Sequence, residues 1–249
     1  MKMMRGLNEV KDKASRLHSH LAEGPAQQLA QSSDEASLDH PGMRMEPGMR
    51  GENESKAKDT HRQIIEVAER LFRQLGFQKT TVADIARELR MSPANVYRFF
   101  SAKSEINAAV CKDLLGSIET EADKIARSRG TSAQKIRDLI ASVEKSHYKR
   151  FMYDRKLHEL IEAAVTESWS IVNEHNQRMT GILEQIISSG MAAGELRAGD
   201  AALAARLVST ACIRFCHPRL MVEYDQKPEP TLDQMINFCL SALAPPAAA

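Results

Sequence analysis

The sequence predicts an all-α protein in which three short helices precede a larger helical body. Three observations predict it. Apolar residues recur at helical spacing from about residue 60 onward, and no stretch alternates as a half-buried strand does. Aromatics are only 5% of the 249 residues, and Ala, Leu and Ile dominate the apolar set, a balance that favours helix over sheet. The short stretch from Thr81 to Phe100 carries helix, turn and helix in immediate succession.

The elements follow in order. Residues 24–58 are rich in Gly, Pro, Ser and Gln without periodicity, and residues 7–23 have only loosely spaced Leu and Val. Residues 1–58 therefore read as a disordered or weakly helical extension, with Met43, Met45 and Met49 as alternative starts. Order is expected near residue 59, where Asp59 or Thr60 caps a helix whose inner face is Ile64, Ala68, Leu71, Phe72 and Leu75. Gly76 stops it. Thr81 caps a second helix facing inward through Val82, Ile85, Ala86 and Leu89. Ser92 caps a third, with Pro93 at its first position, where a missing N–H costs nothing; it runs through about Phe100. A fourth begins at Lys103, carries Ile106, Val110, Leu114 and Ile118 on one face, and connects to about residue 128. Beyond Gly130-Thr131, stripes such as Ile136/Leu139/Ile140/Val143 and Trp169/Val172/Met179/Ile182/Ile186 predict helices throughout, with a loop at 225–230 and a frayed tail at 245–249.

Charge is unevenly spread. Residues 56–103 hold ten basic and five acidic residues in a chain of net charge +1, so the remainder is mildly acidic. A basic module beside an acidic one points to a polyanion partner for the first part, against the plainer reading of a solvated basic face. Helix-turn-helix at 81–100 gives that charge a geometry: a short helix offers its N-terminal end and one face to a DNA major groove. Cys111, Cys212, Cys216 and Cys239 form no CxxC and sit in apolar helical patterns, predicting reduced thiols in a cytoplasmic protein. No run approaches membrane-spanning length, and the N-terminus has no apolar signal core.

Residues 61–115 resemble the DNA-binding domain of the TetR/AcrR family of bacterial transcriptional repressors. The resemblance rests on LF-x-x-x-GF (Leu71 to Phe77), T-x-x-x-IA (Thr81 to Ala86) and Y-x-x-F-x-x-K (Tyr97 to Lys103). The later GMAAGELRAGD is compatible with the family but less specific. The resemblance implies a homodimer on a palindromic double-stranded DNA operator, released when a small-molecule effector binds the C-terminal domain; many members control efflux pumps. It places Tyr97 and Lys103 at phosphates, with Thr81 offering its hydroxyl and N–H to phosphate. Pro93, Ala94, Asn95 and Arg98 fall where sequence is read. Asn95 pairs with adenine and Arg98 with guanine, or either binds phosphate. Ser92 and Phe99 complete the expected DNA-binding set. A Gly is common in the family where Arg90 stands, so Arg90 accepts φ > 0 under strain, or the turn differs.

The implied organisation is a helix-turn-helix domain at 59–104 and a ligand-binding and dimerisation domain at 129–244, paired through the late helices at about 200–243. Cys212, Cys216 and His217 invite a metal or redox reading, but small core side chains are the expectation. His147, His158 and His175 sit singly on helices, and Tyr148, Phe151, Trp169, Met179 and Phe215 read as core before pocket. No Gly-rich phosphate loop, nucleophile elbow or metal-spaced His/Glu set is present, so neither enzyme, cofactor nor metal is expected. The rival reading is a helical ligand-binding or adaptor protein that does not read DNA, which charge reversal at Arg98 and Lys103 separates.

Overall fold

The computed structural model describes residues 47–220 and 230–245, with side chains from residue 55. The expectations for residues 1–46, for most of the 225–230 loop and for the end of the tail lie outside the described residues. The described residues form helices without strands. In chain order they are α1 (Pro47–Leu75), α2 (Val82–Glu88), α3 (Pro93–Tyr97), α4 (Lys103–Arg127), α5 (Ser132–Tyr153), α6 (Arg155–Thr166), α7 (Ser170–Ala192), α8 (Ala201–Cys216) and α9 (Leu232–Leu243).

Three expectations need correction. Helix α1 starts at Pro47, well before residue 59, and neither Asp59 nor Thr60 caps it. Thr60 lies inside the helix and returns its hydroxyl to the Lys56 carbonyl at 2.9 Å. Residues 55–58, Ser-Lys-Ala-Lys, are exposed, so intrinsic propensity carries the helix there with no packing behind it. Helix α3 ends at Tyr97, short of Phe100, because Phe100 turns into the core and Ala102 is already extended ahead of α4. Trp169 stands at the N-cap of α7, outside the stripe it was expected to head.

The caps follow the sequence closely. Thr81 and Asp84 form a capping box on α2, the Ser92 hydroxyl accepts from the Asn95 N–H, and Thr131 accepts from Gln134. Gly76 sits at φ 91 after α1. Arg90 takes φ 55, so the turn keeps its left-handed geometry without the glycine.

GMAAGELRAGD also acquires a physical account. A Cβ on Gly190 would lie 2.6 Å from Ser132, so α7 passes the start of α5 closer than any side chain allows. Gly194 turns the chain at φ 73. Glu195 then accepts the Ser132 N–H at 2.6 Å, Leu196 is buried, and Asp200 caps α8 through the Leu203 N–H.

Two apolar cores result. The first joins Ile64, Phe72, Ile85, Val96, Phe100 and Ile106 to Leu157, Leu160 and Ile161 of α6. The second gathers Ile136, Ile140, Ile182, Ile186, Val208, Ile236 and Leu243 from α5, α7, α8 and α9. The first core crosses the break at Gly130-Thr131, so that break separates helices and not cores.

Candidate nucleic-acid interface and inner cavity

The first site is the surface around α3. Val96 is fully buried and Phe100 nearly so, which anchors the short helix and fixes which face stays outside. That outer face carries Ser92, Pro93, Ala94, Tyr97 and Arg98, all exposed. Tyr97 is half exposed, more than a packed aromatic would be. Asn95 and Phe99 are half-buried; Asn95 leans its amide on the Met91 sulfur at 3.6 Å, and Phe99 packs against the first core.

Two of the expected contacts are already engaged internally. The Thr81 hydroxyl donates to Asp84 at 2.7 Å, and the Thr81 N–H donates to the same carboxylate oxygen at 3.0 Å. Lys103 donates from Nζ to the Gln78 carbonyl at 3.0 Å, tying the start of α4 to the loop before α2. Burial lowers the Lys103 pKa. Its two remaining N–H groups leave it one brace and one free side.

Electrostatic pairing sorts the other cations. Arg62 pairs with Glu66, Arg70 with Glu88, Arg73 with Glu69 and Asp154, and Arg87 with Asp84. Lys79, Arg90 and Arg98 have no acidic partner among the described residues and are exposed. Arg90 lies outside the DNA-binding set expected from the sequence, yet it is an exposed cation in the turn between α2 and α3.

The second site is a cavity of about 300 Å³ among α4, α5, α6, α7 and α8. One part of its wall is aliphatic: Leu139, Ile140, Ile161, Met179 and Leu183. Three imidazoles, His147, His175 and His217, also line it, as do Cys212 and Cys216. Of the aromatic and Met candidates only Met179 reaches it; Tyr148, Phe151, Trp169 and Phe215 do not. The cavity's helices were legible singly, but pairing α5 with α7 and α8 depends on tertiary register that helical periodicity does not encode.

The imidazoles are held neutral. Burial, then Arg150, His175, His158 and His217, push the His147 pKa down to about 3. His147 Nδ1 and Arg150 Nη1 are buried without hydrogen-bond partners. His175 Nδ1 lies 2.8 Å from Glu119, which fixes that nitrogen as the donor of the neutral ring. Burial nevertheless outweighs Glu119 and lowers the His175 pKa. Burial raises the Cys212 and Cys216 thiols to about 12 each, so they are poor nucleophiles. No metal-holding group of three His, Cys, Asp or Glu occurs among the described residues, and no helix there is long and apolar enough to cross a membrane.

Comparison with known proteins now bears on both sites. Residues 64–110 match the family described as bacterial regulatory proteins, tetR family. Residues 132–234 match the tetracyclin repressor-like C-terminal domain. The chain is 27% identical over 167 residues to the HTH-type transcriptional regulator TtgR of Pseudomonas putida, spanning 60% of this chain and 76% of that protein. It is 22% identical over 151 residues to the fatty acid metabolism regulator protein of Bacillus subtilis, spanning 59% and 76%. A TetR/AcrR-family regulator from Thermobifida fusca has the same fold, with a TM-score of 0.55 at 22% identity over 77% of this chain and all of that one. Matched in both its DNA-binding and its C-terminal parts, the chain belongs to the TetR/AcrR family of bacterial transcriptional regulators.

Proposed function

We propose that the protein is a repressor that binds a palindromic operator as a homodimer and leaves it when a small molecule fills the cavity. The observation that carries this is the course of α4. Its first residue, Lys103, braces the helix-turn-helix, and three turns later its Leu115 lines the cavity. One rigid helix thus touches both sites, so a ligand that favours one position of α4 biases the spacing of the reading heads.

A second mechanical link runs beside it. Arg73 of α1 donates to Asp154 at 2.8 Å, between α5 and α6, and Lys156 donates to the Gln74 carbonyl. Movement of the α5–α6 corner is therefore passed to α1.

On the DNA side, Tyr97 and Arg98 are the principal contacts, with Ser92, Pro93 and Ala94 beside them at the N-terminus of α3. Asn95 and Phe99 contribute from the flank. Lys79 and Arg90 extend the positive surface to phosphates on either side. Thr81 contributes after its N–H and hydroxyl exchange Asp84 for a phosphate oxygen, and Lys103 through its two free N–H groups. Functionally, residues 59–104 read DNA and 129–244 sense the ligand and dimerise. This division of roles makes catalysis unnecessary.

The test is a mobility shift with DNA flanking the protein's own gene, at low and high salt. A specific, salt-sensitive shift that narrows to a palindrome is expected. Arg98→Glu should weaken it at least about tenfold without changing the melting temperature. Unchanged affinity in that variant removes α3 as the reading helix.

A further inference from the structure

We propose that the effector is an organic anion, with an apolar body in the aliphatic part of the cavity and one acidic head received by His147, His175 and His217. The inference rests on the repressor reading and specifies its ligand.

The lining carries no Asp, Glu, Lys or Arg. His147 interacts with Arg150 on its own helix, His158 on α6, His175 on α7 and His217 after α8. Three acids stand near, one of them Glu162 on α6, which acts on His217 against Arg219. Glu119 on α4 is spent on His175 Nδ1, leaving Nε2 as the ring's other polar atom. Glu144 faces Cys216, and burial raises its pKa, which moves it toward its neutral form. A cationic head would meet no carboxylate in the wall and would be repelled by Arg150. An anionic head meets three imidazoles in the wall, and the Arg150 guanidinium, outside the lining and with its Nη1 unpartnered, acts on the site through His147.

Size agrees. At an interior packing density of ~0.75, 300 Å³ accommodates a molecule of roughly 12 to 15 non-hydrogen atoms. The Leu, Ile and Met wall supplies affinity for the body without specificity.

Binding should also take up a proton. The empty site holds its imidazoles neutral by burial and mutual repulsion. A carboxylate placed among them reverses the balance and favours an imidazolium, so affinity rises as pH falls.

The test uses three ligands of one chain length on the full chain: decanoate, 1-decanol and decyltrimethylammonium. Isothermal titration at about pH 6 and about pH 8 leaves the carboxylate ionised throughout and spans the range where an imidazole paired with it titrates. Decanoate should bind one site per chain, at least about tenfold tighter than either other head group. Its affinity should rise about tenfold from the higher to the lower pH, with roughly one proton taken up from buffer. His147→Gln should abolish most of that pH dependence. His217→Gln, at a less buried position, gives the same reading if the first variant does not fold.

Equal or tighter binding of the alcohol or the ammonium, pH-independent decanoate binding, or no binding by any of the three overturns the proposal. A parallel mobility shift keeps the two readings apart. Release of operator DNA by the ammonium alone leaves the repressor standing and the anion site refuted. Decanoate binding by a chain that shifts no DNA does the reverse.

Discussion

Asp84, Glu105 and Glu195 each close the start of a helix. Asp84 accepts from the Thr81 hydroxyl and N–H, Glu105 from those of Ser101, and Glu195 from the Ser132 N–H. Those hydrogen bonds hold all three pKa values below 3.8 for Asp84 and 4.5 for the glutamates. The buried imidazoles of His147, His158 and His175, and the half-buried one of His217, are also shifted down, chiefly by desolvation, from an ordinary 6.5. The consequences for stability differ in window. A depressed carboxylate stabilises above its unfolded value, and the contribution is lost as pH falls through the folded one. A depressed imidazole leaves the native state short of protons that the unfolded state binds once pH drops below about 6.5. The ligand-free protein should therefore lose stability in two stages, from about pH 6.5 downward and again below about 4.5. Urea midpoints across that range check it, and His147→Gln should flatten the first stage. A midpoint unchanged between neutral pH and about 5.5 would show that these imidazoles are not held neutral. At this scale the sequence was informative where partners are local. Thr81 and Ser92 as caps could be read directly, and the left-handed turn at Arg90 was one of the two alternatives its sequence left open. The Ser132–Glu195 bond spans 63 positions and could not.

Between elements, Gly190 is the described glycine with the closest neighbours. Its missing Cβ lets α7 lie against Ser132, and the same turn brings Glu195 onto the start of α5. The loop is locked again where the Arg197 N–H donates to the Leu243 carbonyl at the end of α9. Gly190→Ala forces contacts of 2.6 Å with Ser132 and 2.8 Å with Leu196, so α7 must move or Leu196 must leave its site. Overpacking of this kind costs about 1–3 kcal/mol. Gly181→Ala in the same helix meets nothing within 4 Å and should stabilise by about 0.5–1 kcal/mol through helix propensity. Paired thermal melts separate the two; a stable Gly190→Ala variant would mean that the α5–α7 contact gives way easily. Sequence periodicity placed most helices, yet it set the start of α1 too late. The exposed residues 55–58 have no apolar stripe to read, and only propensity keeps them helical. It could not foresee that α6 would join the first core, since an amphipathic helix does not say which partner it covers.

For the whole molecule, the late helices leave large apolar side chains open, as the end of α5 does with Tyr148, Met152 and Tyr153. Leu203 and Leu207 lie one turn apart on α8 and are 47% and 61% exposed, and Phe238 on α9 is 70% exposed. Large apolar side chains exposed on two late helices that pack against each other suit the association surface proposed for the dimer. Its position matches the expected pairing through residues 200–243, and a second copy with two-fold symmetry would cover it face to face. Replacing both Leu207 and Phe238 with Glu puts like charges across such an interface while leaving the buried Ala205, Val208, Ile236 and Cys239 untouched. The double variant should keep its helical content and melt cooperatively, yet run as a monomer by light scattering at micromolar concentration. On the proposed dimer, operator affinity should fall steeply with it, because one head alone keeps only half of the contacts to a palindrome. Dimeric mass in the double variant would move the interface elsewhere. A monomer that still binds the full operator as tightly would separate DNA reading from dimerisation.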